Sequence, residues 1–227
     1  FYTPTNALLD IQMVSRSLLH LNRDYVVVYD RAVSLHPGLF KRFNLNLTTV
    51  PSIDPVAQVT TANTPHGQKL YVQTLLPTQA RLAWVPAGNS ISTYAETEPT
   101  IGRLVVEDTN NPVNIRFLHV LQAADATTPM DVGTLAQSTA GDAFDGVLLG
   151  DTVIWFVRTP GVNTHGTSYL VPGTTGTHYV TGLVPHAGYS VQTTTDGNGN
   201  LQVTISPGGN AMTDEGGLLY FNLNAGT

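Results

Sequence analysis

Apolar and polar residues alternate with a period of two in short runs along nearly the whole chain, which is the pattern of half-buried β-strands. In Phe40-Lys41-Arg42-Phe43-Asn44-Leu45-Asn46-Leu47-Thr48, the residues Phe43, Leu45 and Leu47 fall on one face, and Asn44, Asn46 and Thr48 on the other. The runs at 11–20 and 25–30 flank an Asn22-Arg23-Asp24 turn, and the second is β-branched and aromatic. The same reading predicts strands at 69–76, 81–85, 102–107, 115–122, 147–149, 152–157, 168–171, 178–183, 189–194, 201–205 and 218–223. Turn formers separate them: Gly150-Asp151, then Asp196-Gly197-Asn198-Gly199, whose residues tolerate the positive φ of a tight hairpin. No segment carries a capped 3.6-residue stripe, and 132–140 reads as one helical turn at most.

A parallel sheet needs crossover helices, so the expected architecture is all-β, an antiparallel β-sandwich. A large two-layer sheet system is expected over 1–125 and a smaller C-terminal antiparallel sheet over 144–227. The small, polar stretch 126–143 reads as the connection between them.

Composition narrows the function classes. Charged residues are 11% of the chain, against about 25% in an average globular domain. A hydrophobic share of 41% is too high for a disordered chain. The net charge of -6, with ten Lys plus Arg, gives no basic footprint for nucleic acid. There is no cysteine, which excludes disulfides and thiolate metal sites. No run reaches the ~18 apolar residues of a membrane helix, so no membrane insertion is expected. The chain opens at Phe1-Tyr2-Thr3-Pro4 without a signal peptide or initiator Met, and is expected to be a processed or excised piece of a longer protein. Its Thr, Asn and Gly wealth and scarce lysine are expected of a secreted, periplasmic or cell-surface protein.

Residues that could carry chemistry are scattered. The histidines (His20, His36, His66, His119, His165, His178 and His186) include no pair at the spacing that sets two imidazoles on one ion, so no metal site or cofactor is expected. His119, inside Arg116-Phe117-Leu118-His119-Val120, reads as a hydrogen-bonded strand residue of structural role. No Gly-x-Ser-x-Gly elbow occurs, and the paired carboxylates at Glu96/Glu98, Glu107-Asp108, Asp142/Asp145 and Asp214-Glu215 mostly flank turns. Asp196-Gly197-Asn198-Gly199-Asn200 opens like a calcium loop, but Leu201 and Pro207 stand where that loop needs Gly and Glu. Leu183-Val184-Pro185-His186-Ala187-Gly188-Tyr189 has the spacing of a tyrosine corner, which gives Tyr189 a structural role. Trp84 and Trp155 are candidate sugar-stacking platforms set in apolar strands, and Lys41-Arg42 are the one adjacent cation pair.

Three stretches together carry a resemblance. Ser15-Arg16-Ser17 followed by Asp24-Tyr25-Val26-Val27-Val28-Tyr29-Asp30-Arg31 resembles the strand pair that follows the catalytic segment of heparinase II/III-like polysaccharide lyases. Phe40–Leu45 and Arg116–Gln122 look like the next framework strands of that family, and the end, from Thr181-Gly182-Leu183 through Tyr189 to Leu218-Leu219-Tyr220-Phe221, is similar to its close. The resemblance implies a β-sandwich that packs beside a helical toroid in the parent protein. It also implies cleavage of acidic polysaccharides by β-elimination: a base takes the proton beside the uronate carboxylate, and an acid protonates the leaving oxygen. The family's catalytic Tyr and His belong to the toroid and to a His/Asp-rich segment, neither matched here. Where some members place a zinc-binding His, this chain reads Met13-Val14-Ser15-Arg16. No catalytic or metal residue therefore carries over. Arg16, Asp30 and Arg31 carry over as structural residues, and Trp84, Trp155, Lys41 and Arg42 stand as the candidate carbohydrate contacts. The expected role is a module silent by itself that supports the toroid and lines a groove for acidic polysaccharide. The alternative is a cell-surface structural or adhesive module that self-associates.

Overall fold

The computed structural model describes residues 10–87, 100–159, 161 and 165–223. The chain forms two compact units, Phe1–Met130 and Asp131–Thr227.

In the first unit the strands are β1 (Ile11–Leu21), β2 (Tyr25–Ser34), β3 (Arg42–Leu47), β4 (Ser52–Asp54), β5 (Val59–Asn63), β6 (Lys69–Leu76), β7 (Arg81–Pro86), β8 (Gly102–Glu107) and β9 (Asn114–Ala124). They make a six-stranded sheet in the order β1-β2-β9-β6-β5-β4 and a three-stranded sheet in the order β3-β8-β7. Every pairing is antiparallel. The core forms where the apolar face of β3, β7 and β8 meets one face of the larger sheet, with Phe43, Leu104 and Val106 against Val28, Val72 and Phe117. Each such side chain, fully buried, contributes about 1.5–3 kcal/mol. The register of β6 on β9 shifts between Thr74 and Leu76, so that Thr74 stands opposite His119 and Leu76 opposite Leu118. That local irregularity sets a hydroxyl beside a buried imidazole.

The second unit contains β10 (Thr134–Gln137), β11 (Ala140–Gly141), β12 (Phe144–Leu149), β13 (Thr152–Val157), β14 (Thr167–Pro172), β15 (Thr177–Val180), β16 (Gly188–Thr195), β17 (Asn200–Pro207), β18 (Ala211–Met212) and β19 (Leu219–Asn222). Two five-stranded sheets run β10-β12-β13-β15-β19 and β11-β14-β17-β16-β18. Trp155, Tyr169, Tyr189, Phe144, Val203 and Leu219 fill the core between them.

Three expectations need correction. The stretch 126–143 is not all connection: β10 and β11 lie in it, and β10 replaces the helical turn expected at 132–140. β10 is extended because it pairs with β12, Leu135 opposite Val147, and that tertiary ladder overrides a weak local preference. The C-terminal part is a pair of five-stranded sheets, not one smaller sheet. Finally, β13 and β15 pair in parallel. The chain leaves β13, passes through β14 in the opposite sheet and returns as β15, so the crossover is made by a strand where a helix is usual.

Candidate functional site

The strand pair that carries the resemblance is an interlocked clamp. Arg16 and Asp30 face each other across β1 and β2 and bond twice, Nε to Oδ1 at 2.7 Å and Nη2 to Oδ2 at 2.6 Å. That hydrogen bond holds the Arg16 guanidinium pKa above its ordinary value. The guanidinium carbon also lies 5.4 Å from the Phe43 ring centroid. On the opposite face the buried Arg31 donates to Ser15 Oγ (2.9 Å) and Ser17 Oγ (2.8 Å), with burial drawing its pKa down. Ser15-Arg16-Ser17 thus holds Asp30 with its middle residue and Arg31 with its outer two. This is a structural fastening with no group free to act on substrate.

Two imidazoles are fully buried. His119 exchanges a hydrogen bond with Thr74 Oγ1 through Nδ1 (3.1 Å) and lies 4.0 Å from the Phe43 centroid. Burial, aided by the Arg16 charge, pushes its pKa down to about 3. His178 shares a hydrogen bond between Nδ1 and the Tyr169 hydroxyl (2.9 Å) and stacks on Phe221 at 4.6 Å. Its pKa falls to about 4, again through burial, partly offset by the Thr175 backbone. Burial raises the Tyr169 phenol in turn. Both imidazoles are neutral at pH 7 and closed to solvent, which suits neither to proton transfer with an outside polymer. Tyr189 Oη accepts the Val184 N–H at 3.1 Å, tying the loop before β16 to that strand. Among the described residues no cluster of three His, Cys, Asp or Glu could hold a metal ion.

The two tryptophans part company. Trp155 is 0% exposed in the second core, so neither ring face can meet a sugar, and its candidacy as a platform is corrected on that ground. It stands opposite Gly146, where any Cβ would strike the indole and the Ile154 carbonyl. Trp84 is half-buried against the first core, its six-membered ring pressed on Gly102. In both places a large ring covers the backbone of a cross-strand glycine.

Lys41 and Arg42 are both engaged. The Lys41 ammonium donates to Ser34 Oγ (2.9 Å) and the Leu39 carbonyl (2.8 Å), and burial lowers its pKa. Arg42 lies over Phe40, 4.6 Å from the centroid, and bonds Glu107 through Nε at 2.5 Å. Arg81, opposite Glu107 on the other side, bonds its second oxygen. Arg42 first, then Arg81, hold the Glu107 carboxyl below its usual range. Because side chains alternate along β8, Arg103 shares this outer face with Glu107, beside Asn46. Arg103 is exposed and has no ion pair among the described residues. Among the described residues, the outer face of β3-β8-β7 therefore carries Arg42, Arg81 and Arg103 with one carboxylate, Glu107, in a protein of net charge -6. Sequence reasoning missed Arg81 and Arg103; they lie 39 and 61 positions beyond Arg42, and only the strand register brings them together. The available signal was the alternation Arg103-Leu104-Val105-Val106-Glu107, which puts both charges on one face.

No known protein-family model and no curated protein sequence matches the chain. Among solved structures it is similar to the heparan sulfate lyase HepC from Pedobacter heparinus, with 16% identity and a TM-score of 0.44, and to a mutant of that lyase, with 17% and 0.46. Each match covers 63% of this chain and 23% of the other, so the chain spans about a quarter of the lyase's length. The likeness is distant.

Proposed function

We propose that this chain is the β-sandwich portion of a heparinase II/III-like protein that acts on acidic polysaccharides, exported to the periplasm, the cell surface or the medium. The β-elimination chemistry belongs to the helical toroid and the His/Asp-rich segment of the parent. This portion supports them and guides the anionic chain. The observation that carries the reading is the outer face of β3-β8-β7, where Arg42 and Arg81 flank Glu107 and the exposed Arg103 stands on the same face four residues along β8. Guanidinium groups bond carboxylates and sulfates in pairs, and a flat strand face lets successive charges of a polymer meet successive side chains. The two fully buried histidines, His119 and His178, are closed to solvent and supply no base to the polymer.

The test is retention of the chain on immobilised acidic polysaccharide across a salt series, together with an assay for unsaturated product. Binding that weakens as salt rises, a loss of several-fold in Arg103→Gln, and no product support the reading. Product formed by the chain alone, or retention unchanged in an Arg81→Gln/Arg103→Gln double variant, overturns it.

One observation favours the adhesive reading. β1 pairs only with β2 among the described residues, and Ile11, Val14 and Leu18 on it are all more than half exposed. A long apolar edge strand is a template for pairing with another chain. A concentration-dependent rise in mass by sedimentation, abolished by Val14→Lys, supports it; a monomer throughout removes it.

A further inference from the structure

The far end of the six-stranded sheet, away from β1, carries a concavity that neither reading uses. Strand register brings Ser52, Thr61 and Tyr71 into one row across β4, β5 and β6, with Asp54 and Val59 in the next. Together with Ile53, Ala57 and Met130, these side chains line an open cavity of about 370 Å³. The Tyr71 ring is fixed at its tip, where the hydroxyl donates to the Thr128 carbonyl at 3.1 Å, and Lys69 Nζ lies 5.8 Å from its centroid. Asp54 Oδ1 accepts the Val56 and Ala57 N–H groups at 2.9 Å each, which leaves Oδ2 without a protein partner among the described residues.

Ala57 also borders a second cavity, of about 490 Å³, lined by Gln58, Gln73, Thr74, Thr78 and Gln79 with no charged side chain. Gln58 (φ 56) and Gln79 (φ 63) both adopt the left-handed conformation that residues other than glycine seldom take. The Gln58 side chain fastens the two loops, its Nε2 donating to the carbonyls of Pro55 (2.6 Å) and Ala80 (3.1 Å). Backbone held in a sparsely populated region on both sides of one cavity is a feature of ligand sites.

The two concavities, which adjoin at Ala57, together offer hydroxyls, carboxamides, one aromatic ring, one carboxylate and apolar side chains that include Ile53, Val59, Leu75 and Met130, and no Lys or Arg is among their lining residues. A phosphate, sulfate or uronate would meet the Asp54 carboxylate with no cation among the lining residues, the Lys69 ammonium lying over the Tyr71 ring outside the lining, and one carboxylate is too few for a metal ion. A pyranose bearing only hydroxyls fits: its C–H face lies on a ring, its hydroxyls pair with amides, and two of them can share a carboxylate. We propose that this groove binds a neutral saccharide unit, separately from any acidic chain on the arginine face.

The test is titration of the ¹⁵N-labelled full chain with cellotetraose, xylotetraose and maltotetraose, and with tetragalacturonate as the acidic probe. Saturable shifts at amides 57–61 and 71–73 with a neutral probe, and none there with tetragalacturonate, are expected. Tyr71→Ala should weaken that binding about tenfold or more, which corresponds to ~1.4 kcal/mol. Thr61→Val keeps the shape and removes one hydroxyl, so a smaller loss from it separates lost contact from lost fold. No neutral probe binding at about 10 mM, beyond the range of even a millimolar site, overturns the proposal. So does equal binding of tetragalacturonate at these amides, or a neutral affinity untouched by both variants. Arg103→Gln leaves this groove intact, so failure here and failure of the arginine-face reading are distinguishable.

Discussion

In the first unit Glu107 is held by two arginines, Arg42 and Arg81, each more than a third exposed, while in the second Asp145 is fully buried and bonds Arg158 Nε at 2.9 Å and Gln137 Nε2 at 3.0 Å. The first arrangement keeps guanidinium groups at the surface and shares the carboxylate between them. The second buries its carboxylate fully, on the face of β12 away from Phe144 and Trp155, and bonds it to Arg158 and Gln137. The core around Trp155, Tyr169, Tyr189 and Phe144 is a stability device, while the exposed Arg42, Arg81 and Arg103 and the two cavities beside β4 and β5 lie in the first unit. A charge that serves a ligand has to remain reachable, and one that serves the fold does not.

Breaking the buried pair should have the largest effect. Arg158→Met leaves Asp145 without its cation, and the second unit should lose about 3–5 kcal/mol in urea unfolding. Arg42→Met, which leaves Glu107 its other arginine, should lower stability by no more than about 1 kcal/mol. Equal losses in the two variants would break the contrast.

The tryptophans sharpen it further. Trp155→Ala should destabilise by about 3–5 kcal/mol, as expected for a large core ring. Trp84→Ala should fall well short of that, because its ring is already partly in water. Gly146→Ala and Gly102→Ala test the packing from the other side: each adds a Cβ into the indole, and each should lower the melting temperature without altering acidic-polysaccharide retention.

Acid is the next probe. His119 and His178 have folded pKa values of about 3 and about 4, below the 6.5 of a free imidazole. The unfolded chain therefore binds protons that the folded chain does not, and stability present above about pH 6.5 declines as pH falls toward 4. At pH 5 each histidine should cost about 2 kcal/mol relative to pH 7. His119→Gln and His178→Gln should each flatten the profile in that window, whatever they do to stability at pH 7. The smallest effect belongs to Arg16→Met: that pair is half exposed, and its loss should cost at most about 1 kcal/mol.

Much of the fold was legible because period-two alternation records which face of a strand is buried. The strands at 69–76, 102–107 and 152–157 have the bounds their alternation predicts. The strands that alternation missed, Ser52–Asp54, Val59–Asn63, Thr134–Gln137, Ala140–Gly141 and Ala211–Met212, are short or polar and are extended because a neighbour's backbone pairs with them. The neutral groove was illegible for the same reason, since two of its walls are β4 and β5. Arg42 was visible as a cation, but not that Arg81 and Arg103 would share its sheet face.

From its residues alone the chain is bound to be all-β, because short alternating runs bounded by Gly, Pro, Asn and Asp bury their apolar faces only as strands in packed sheets. Which strands become neighbours is settled by long-range ladders, and those ladders decide everything local about function. They place three arginines on one face, close two imidazoles into cores and set Tyr71 beside Thr61 and Ser52. Alternation specifies a face and carries no information about the partner across it, so burial was written in the sequence and the sites were made by pairing.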